Sequence, residues 1–184
     1  MLSLLDTAKQ FLTAPPIPQG GVLIDFTMGN GYDTLYLCSL VPEGKVYAFD
    51  VQEAALASTR ARLLAHGITN AELILDSHAA LLQYVKEPIY GGLFNLGWLP
   101  GSDRTVRTQT ESTLKAVSAG LSLLAPGYRI IINVYPGHTE GTDEGNALAD
   151  FLATLPKKQF AALKIRLLND EKAPYLYVLE KYKK

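Results

Sequence analysis

The chain has 184 residues, of which 48% are hydrophobic, and this length predicts a single domain over residues 1–184 with a full core. A net charge of −1 excludes a strong overall attraction to nucleic acid, so any contact with RNA would need a local basic patch. The one cysteine, Cys38, excludes an internal disulfide framework and a zinc site built from cysteines. No signal peptide and no apolar run of membrane-spanning length is evident, which predicts a cytoplasmic protein without a membrane partner.

Hydrophobic periodicity predicts helices and strands in alternation. In chain order, the predicted helices span 2–12, 33–40, 52–66, 79–85, 108–124 and a last segment that ends near 155. The predicted strands span 22–25, 45–50, 71–75, 91–96, 128–135, 160–167 and 175–180. Strands that alternate with helices, followed by two adjacent strands, are typical of a mainly parallel α/β sheet with an antiparallel edge.

A turn with two glycines follows the first predicted strand. The strand ends at Asp25, and Gly29 and Gly31 would let the backbone adopt positive φ and approach a ligand closely. Asp33 and Thr34 fit the cap and first turn of the next helix. This order of strand, glycine turn and helix predicts the opening of a nucleotide-binding βαβ unit.

The second predicted strand ends in another acid, Asp50. It lies about 20 residues after Gly29, the spacing at which a carboxylate commonly accepts hydrogen bonds from ribose hydroxyls. Because this acid suits any nucleotide with a free ribose, it does not distinguish one ligand class from another.

Two ligand classes compete for the glycine turn, and a third interpretation needs no ligand. A dinucleotide dehydrogenase would carry a third glycine where Thr34 stands, and rarely an acid where Asp25 stands. The first motif of class I S-adenosylmethionine-dependent methyltransferases resembles acid-x-x-x-Gly-x-Gly, which Asp25, Gly29 and Gly31 match. A carboxylate there would stabilise an ammonium group and repel a pyrophosphate. Alternatively, the acid caps a turn and the glycines serve turn geometry alone.

Four segments, at 27–34, 49–52, 95–103 and 135–138, carry a more specific resemblance. Together they are similar to a small bacterial methyltransferase family once labelled "putative rRNA methylases", over nearly the whole chain. The resemblance implies a Rossmann-like class I methyltransferase fold, with a mainly parallel seven-stranded sheet, one antiparallel strand near the C-terminus and helices on both faces. It also implies S-adenosyl-L-methionine as the cofactor. The family more often has histidine where Tyr32 stands and tyrosine where Trp98 stands.

The same resemblance implies a substrate. Members of that family methylate the amino group of 5-aminomethyl-2-thiouridine at the wobble position of tRNA and give the 5-methylaminomethyl form. The partner implied is therefore tRNA, through its anticodon stem-loop. A homodimer is a possible further assembly, which the sequence does not specify. Alternatives are a methyltransferase of another RNA site such as rRNA, a methyltransferase of a small-molecule amine, and a non-catalytic nucleotide-binding protein.

The predicted cofactor site lies at the carboxyl ends of the first four strands, where open α/β sheets bind ligands. Its members are Asp25, Thr27, Gly29, Asn30, Gly31, Asp33, Asp50, Gln52, Asp76, Ser77, His78 and Asn95. Asp76, Ser77 and His78 follow the third strand, where this fold usually meets the adenine ring. Ser77 and His78 also suit an ordinary helix start, and Gln52 is placed to reach the adenine or the ribose.

Four residues are predicted to act on the target. Asn95 can hold an N–H of the amine in a near-attack geometry, and Trp98 can stack a splayed-out base or simply anchor its loop. His138 lies in a glycine-flanked loop after the fifth strand and can accept a proton or contact the nucleotide, unless it is an ordinary loop histidine. Asp103 is a further helper. No spacing of His, Cys and carboxylates indicates a metal site.

A local basic face would bind RNA phosphates. Arg104 and Arg107 adjoin the loop that carries the target residues, and Arg129 lies farther along the chain. The lysines near the C-terminus fit a solvated surface. The two arginines beside the target loop are therefore the predicted tRNA contacts.

Overall fold

A computed structural model describes residues 3–96, 109–136 and 139–183, of which 139–141 are described by backbone alone. The helices are α1 (Leu4–Thr13), α2 (Tyr32–Leu40), α3 (Glu53–Ala65), α4 (Leu81–Tyr84), α5 (Thr110–Leu123) and α6 (Thr139–Ala153). The strands are β1 (Val22–Asp25), β2 (Lys45–Asp50), β3 (Ala71–Leu75), β4 (Ile89–Asn95), β5 (Leu124–Val134), β6 (Phe160–Ile165) and β7 (Tyr175–Lys181). Within the described ranges, no helix is long and apolar enough to cross a membrane.

The seven strands form one sheet in the order β3-β2-β1-β4-β5-β7-β6. Strands β1 to β5 pair in parallel, and β7 pairs antiparallel with both β5 and β6. The predicted sheet, mainly parallel with one antiparallel strand near the C-terminus, is confirmed. The reversed strand lies between β5 and β6, one position in from the edge, a placement that the order of elements along the chain does not specify.

Helices cover both faces of the sheet, as predicted. The alternation of side chains along β1 shows this, because Leu23 belongs to a core cluster that includes residues of α1, α2 and α3, whereas Ile24 belongs to another that includes residues of α5 and α6. Both residues are fully buried. A strand buried on both faces reads as a continuous apolar run, which is why 22–24 carry no polar residue before Asp25.

The fifth strand begins earlier than predicted. Pro126 and Gly127 were expected to precede the strand, but β5 already starts at Leu124. The pairing with β4 shifts there, from Ile89 opposite Leu124 to Gly91 opposite Arg129, so the extra residues form an irregularity in the strand. Proline is tolerated at such a place because its missing N–H interrupts no regular ladder.

The predicted helix over 79–85 is also divided. A 3-10 turn, His78–Ala80, leads into the single turn of α4. The other predicted elements lie within a few residues of the observed ones, which is the usual uncertainty at fraying ends.

Candidate functional site

The loop between β1 and α2 has the glycine geometry that the sequence predicted. Gly29 has φ of 50° and Gly31 has φ of 79°. Gly31 is also the residue before α2, where it caps the helix without a side chain. Asp33 therefore lies in the first turn of α2 and does not cap it, which corrects that part of the prediction.

Two side chains of helix α3 donate hydrogen bonds to the backbone of this loop. The Thr59 hydroxyl donates to the Gly29 carbonyl at 3.0 Å, and Arg62 Nε donates to the Asn30 carbonyl at 2.7 Å. A Cβ on Gly31 would lie 2.8 Å from Thr59 Cα, which is closer than atoms in real proteins approach. The loop is thus packed too tightly against α3 for any residue but glycine at this position.

Asp25 is fully buried beneath the loop. Its Oδ1 accepts from the Thr27 N–H at 3.1 Å, and its Oδ2 accepts from the Thr34 hydroxyl at 2.7 Å. Burial, and then the nearby charge of Asp33, raise the pKa of this carboxyl to about 7. In the structure, the Asp25 side chain joins the end of β1 to the first turn of α2, and a direct contact with an ammonium group stays a prediction.

Asp50 joins the second strand to the glycine loop. Its Oδ2 accepts from the Gly29 N–H at 3.1 Å, and its Oδ1 accepts from the Gln52 N–H at 3.0 Å. The carboxylate is partly buried, and desolvation raises its pKa. Each carboxylate oxygen can accept a second hydrogen bond, so the group can bind hydroxyls while it holds the loop.

The end of β3 is arranged around Asp76 and Ser77. Asp76 accepts from the Ser77 N–H at 2.7 Å and from the Tyr84 hydroxyl at 2.9 Å. The Ser77 hydroxyl accepts from the Ala79 N–H at 3.2 Å, so Ser77 caps the 3-10 turn, as its helix-start interpretation predicted. Because Leu75, the residue before Asp76, lies opposite Asp50 in the parallel pairing of β2 and β3, Asp76 and Ser77 lie at the same edge of the sheet as Asp50.

His78 is buried in the core. Its Nδ1 lies 3.2 Å from the Phe26 carbonyl, so Nδ1 carries the hydrogen and donates. Its ring meets Phe94 edge-on, with the centroids 4.7 Å apart, and Nε2 has no hydrogen-bond partner among the described residues. Burial lowers the pKa to about 4, which keeps the ring neutral. The contact with adenine predicted for His78 stays a prediction.

A chain of side-chain hydrogen bonds links β5, β4 and α2. Asn133 Nδ2 donates to Asn95 Oδ1 at 2.8 Å, and Asn95 Nδ2 donates to Asp33 Oδ2 at 2.8 Å. The Asn95 N–H donates to the Thr27 hydroxyl at 2.9 Å. Because a carboxylate accepts only, Asp33 fixes which end of the Asn95 amide faces it, and Asn133 fixes the other end. Strands β4 and β5, helix α2 and the loop after β1 therefore meet at one point of the carboxyl edge.

Asn133 was missed by the sequence analysis. It follows Ile130, Ile131 and Ile132 near the end of β5, and only 3% of its surface is exposed. A polar side chain in such a place needs a hydrogen-bond partner. A polar residue within an apolar, β-branched run was therefore the signal in the sequence. The structure supplies the partner, because β5 pairs in parallel with β4 and Asn133 lies opposite Asn95.

This linked set, Asp33–Asn95–Asn133, presents acceptors to a group that carries N–H bonds. The Asn95 oxygen has a second lone pair beyond the one that Asn133 uses, and the Asp33 carboxylate is partly exposed. Tyr135, just beyond β5, is close enough that burial and the Asp33 charge together raise the pKa of its hydroxyl. The arrangement suits an amine or an ammonium better than it suits an anion.

The remaining predicted residues have different outcomes. Trp98, Asp103 and His138, and the RNA contacts Arg104 and Arg107, lie outside the described residues. Arg129 is a structural residue: it pairs with Glu180 at 2.7 Å and donates to the Phe11 carbonyl at 3.0 Å, which joins β5 to β7 and α1. In the described ranges, no group of three or more His, Cys, Asp and Glu side chains could hold a metal ion.

Comparison with known proteins gives consistent matches. The family model described as "Putative rRNA methylase" matches residues 46–181. A chloroplastic tRNA (mnm(5)s(2)U34)-methyltransferase from Arabidopsis thaliana is 34% identical over 178 residues, which are 90% of this chain. The chain spans 65% of the length of that relative.

Solved structures agree in fold. A methyltransferase-like protein from Streptococcus mutans, SMU.1697c, in complex with SAH, superposes with a TM-score of 0.90 at 39% identity and covers 98% of this chain and 99% of its own. A structure from Clostridium thermocellum, titled "putative rRNA-methylase", has a TM-score of 0.95 at 31% identity and covers 98% of each chain.

Proposed function

This chain belongs to the family described as "Putative rRNA methylase", and we propose that it transfers a methyl group from S-adenosylmethionine to an amine of tRNA. The amine is that of 5-aminomethyl-2-thiouridine at the wobble position, and the product is its 5-methylaminomethyl form. The name of the Arabidopsis relative supports this substrate. The observation that carries the proposal is the fixed amide of Asn95, held between Asp33 and Asn133 at the carboxyl edge of the sheet.

The residues of the first three strand ends fit the cofactor. The glycine loop allows close approach of a ligand to the backbone, and Asp50 at the end of β2 has capacity for two ribose hydroxyls. Asp76, Ser77 and Gln52 would face the adenine end. S-adenosylmethionine supplies an electrophilic methyl group when it is bound.

The ammonium of the amino-acid end needs a carboxylate that ligands can reach. Asp25 has no exposed surface and both its oxygens have partners, whereas the carboxylate of Asp33 is partly exposed beside the glycine loop. We therefore propose that Asp33 contacts the ammonium group directly and that Asp25 holds the loop in shape. Charge attraction between Asp33 and an ammonium group is strong where water is partly excluded.

Asn95 would hold the target amine. Its Oδ1 accepts one N–H of the amine, which turns the nitrogen lone pair away from that oxygen and fixes its direction. Only the neutral amine has this lone pair, so the ammonium form must first lose a proton, for which His138 is the candidate acceptor. Trp98 would stack the base, and Arg104 and Arg107 would contact phosphates of the anticodon stem-loop.

The test is nucleoside mass spectrometry after incubation of the protein with S-adenosylmethionine and tRNA that carries the unmethylated amine. We expect a gain of one methyl group on the wobble nucleoside, and a loss of at least about a hundredfold in rate for Asn95→Ala. Tyr182→Ala, an exposed residue near the C-terminus, is the matched control. The absence of a methyl gain on that nucleoside, or its appearance on rRNA or a free amine instead, would reject this substrate.

A further inference from the structure

Tyr32 extends from the first turn of α2 with 67% of its surface exposed. Single exposed apolar side chains are common and need no special role. Tyr32 differs because the guanidinium of Arg62 lies over its ring, with its central carbon 3.5 Å from the ring centroid. One face of the ring is therefore covered by a cation, and the exposure comes from the other face and the ring edge.

The stack is ordered before any partner arrives. Arg62 Nε donates to the Asn30 carbonyl at 2.7 Å, which fixes the arginine on the glycine loop. An arginine held in this way stays over the aromatic ring at little further cost in rotamer entropy. The outer face of Tyr32 is thus a preorganised flat surface with a positive charge behind it.

This surface adjoins the predicted target site. Tyr32 directly precedes Asp33, so their Cα atoms are about 3.8 Å apart, and Asp33 accepts a hydrogen bond from Asn95. The Asp33 carboxylate joins the site, whereas the Tyr32 ring stands outside it in solvent. A base bound on the Tyr32 ring would therefore lie next to the reacting nucleotide and would not be the reacting nucleotide itself.

A second pair of ring and cation lies one turn farther along the same helix. Tyr36 has the ammonium nitrogen of Lys9, from α1, at 4.6 Å from its ring centroid. Residues four apart in a helix lie on the same side, so Tyr32 and Tyr36 follow one another along α2. Aromatic rings interleaved with cations are the features with which proteins bind single-stranded nucleic acid.

We propose that an unpaired base of the RNA substrate, next to the reacting nucleotide, stacks on the outer face of Tyr32. Arg62 supports the ring from behind and places its charge near the RNA phosphates. This inference rests on the proposed function, because it takes the substrate to be RNA. A protein partner suits the position less well, since the ring is backed by the cationic Arg62 and directly precedes the acidic Asp33 in the chain.

The test compares the wild type with Tyr32→Ala, Tyr32→Phe and the control Tyr182→Ala, whose exposed tyrosine lies near the C-terminus. Three quantities are measured for each: the Kd for unmethylated tRNA, its dependence on salt, and the Kd for S-adenosylmethionine. We expect Tyr32→Ala to weaken tRNA binding by at least about fivefold, the lower limit of base stacking on an aromatic ring. Its salt slope should match that of the wild type, because no charge is removed.

Tyr32→Phe keeps the ring and should bind tRNA as the wild type does, and Tyr182→Ala should also be unchanged. Equal tRNA affinity in Tyr32→Ala and the wild type would overturn the inference, as would a phenylalanine variant as weak as the alanine variant. A parallel loss of S-adenosylmethionine affinity would overturn it too, because the ring would then serve the cofactor. If the wild type adds no methyl group to tRNA, the proposed function itself fails; if it does and only the variants disagree, the stacking inference alone falls.

Discussion

The buried carboxyl of Asp25 should make the protein less stable as the pH rises. Its pKa is raised from the ordinary value of 3.8 to about 7, first by burial and then by the charge of Asp33. A folded-state pKa above the unfolded value means that the folded protein favours the protonated acid. The stability contribution is therefore complete below about pH 4 and is lost as the pH rises through 7, by about 4 kcal/mol in total.

Replacement of Asp25 by Asn isolates this contribution. The asparagine Oδ1 can accept from the Thr27 N–H, and its Nδ2 can donate to the Thr34 hydroxyl, so both contacts of the site survive without a charge. Between about pH 4.5 and pH 8, the stability of Asp25→Asn should rise relative to the wild type by about 3 kcal/mol, from the same two pKa values. Urea unfolding at a series of pH values, without cofactor, measures this difference.

A second variant checks the cause. The Thr34 hydroxyl lowers the pKa of Asp25, so Thr34→Val should move the pH-dependent loss of stability to higher pH. In Asp25→Asn/Thr34→Val, that shift should be absent because no carboxyl remains. A difference between Asp25→Asn and the wild type that is constant with pH, or that favours the wild type at high pH, would refute the assignment of a raised pKa.

Three further variants probe the site. Gly31→Ala should lower the free energy of unfolding by at least about 1–2 kcal/mol and abolish cofactor binding, because the φ of this residue is 79° and the added Cβ would meet Thr59. Chemical denaturation measures the stability and calorimetry measures the cofactor affinity. Retained cofactor affinity would contradict the prediction. Asp50→Ala should raise the Kd for S-adenosylmethionine at least about tenfold, and an unchanged Kd would remove its ribose role. Asn133→Ala should lower kcat about tenfold with little change in the Kd for the cofactor, because it frees the Asn95 amide to rotate. Steady-state kinetics measure kcat, and an unchanged kcat would contradict this role of Asn133.

The sequence by itself determined the layers of the fold, the glycine loop of the candidate site and the place of Asp50 beside it. Period-two and period-3.6 patterns are local, so the strand that ends at Asp25 and the helices that follow could be read along the chain. The glycines at 29 and 31 were equally legible, because positive φ is a property of single residues. Asp50 followed from its place at the end of β2, where parallel strands bring their carboxyl ends to one edge.

Only the tertiary structure decided what those side chains touch. Asp25 stands in the sequence like a ligand-binding acid, yet the fold buries it beneath Thr27 and Thr34. Asn133 is far along the chain from Asn95, and their hydrogen bond exists only because β5 pairs with β4 in this register. Contacts between distant segments depend on strand order and on helix packing, which no local pattern encodes, and the amide of Asn95 is oriented by such contacts alone.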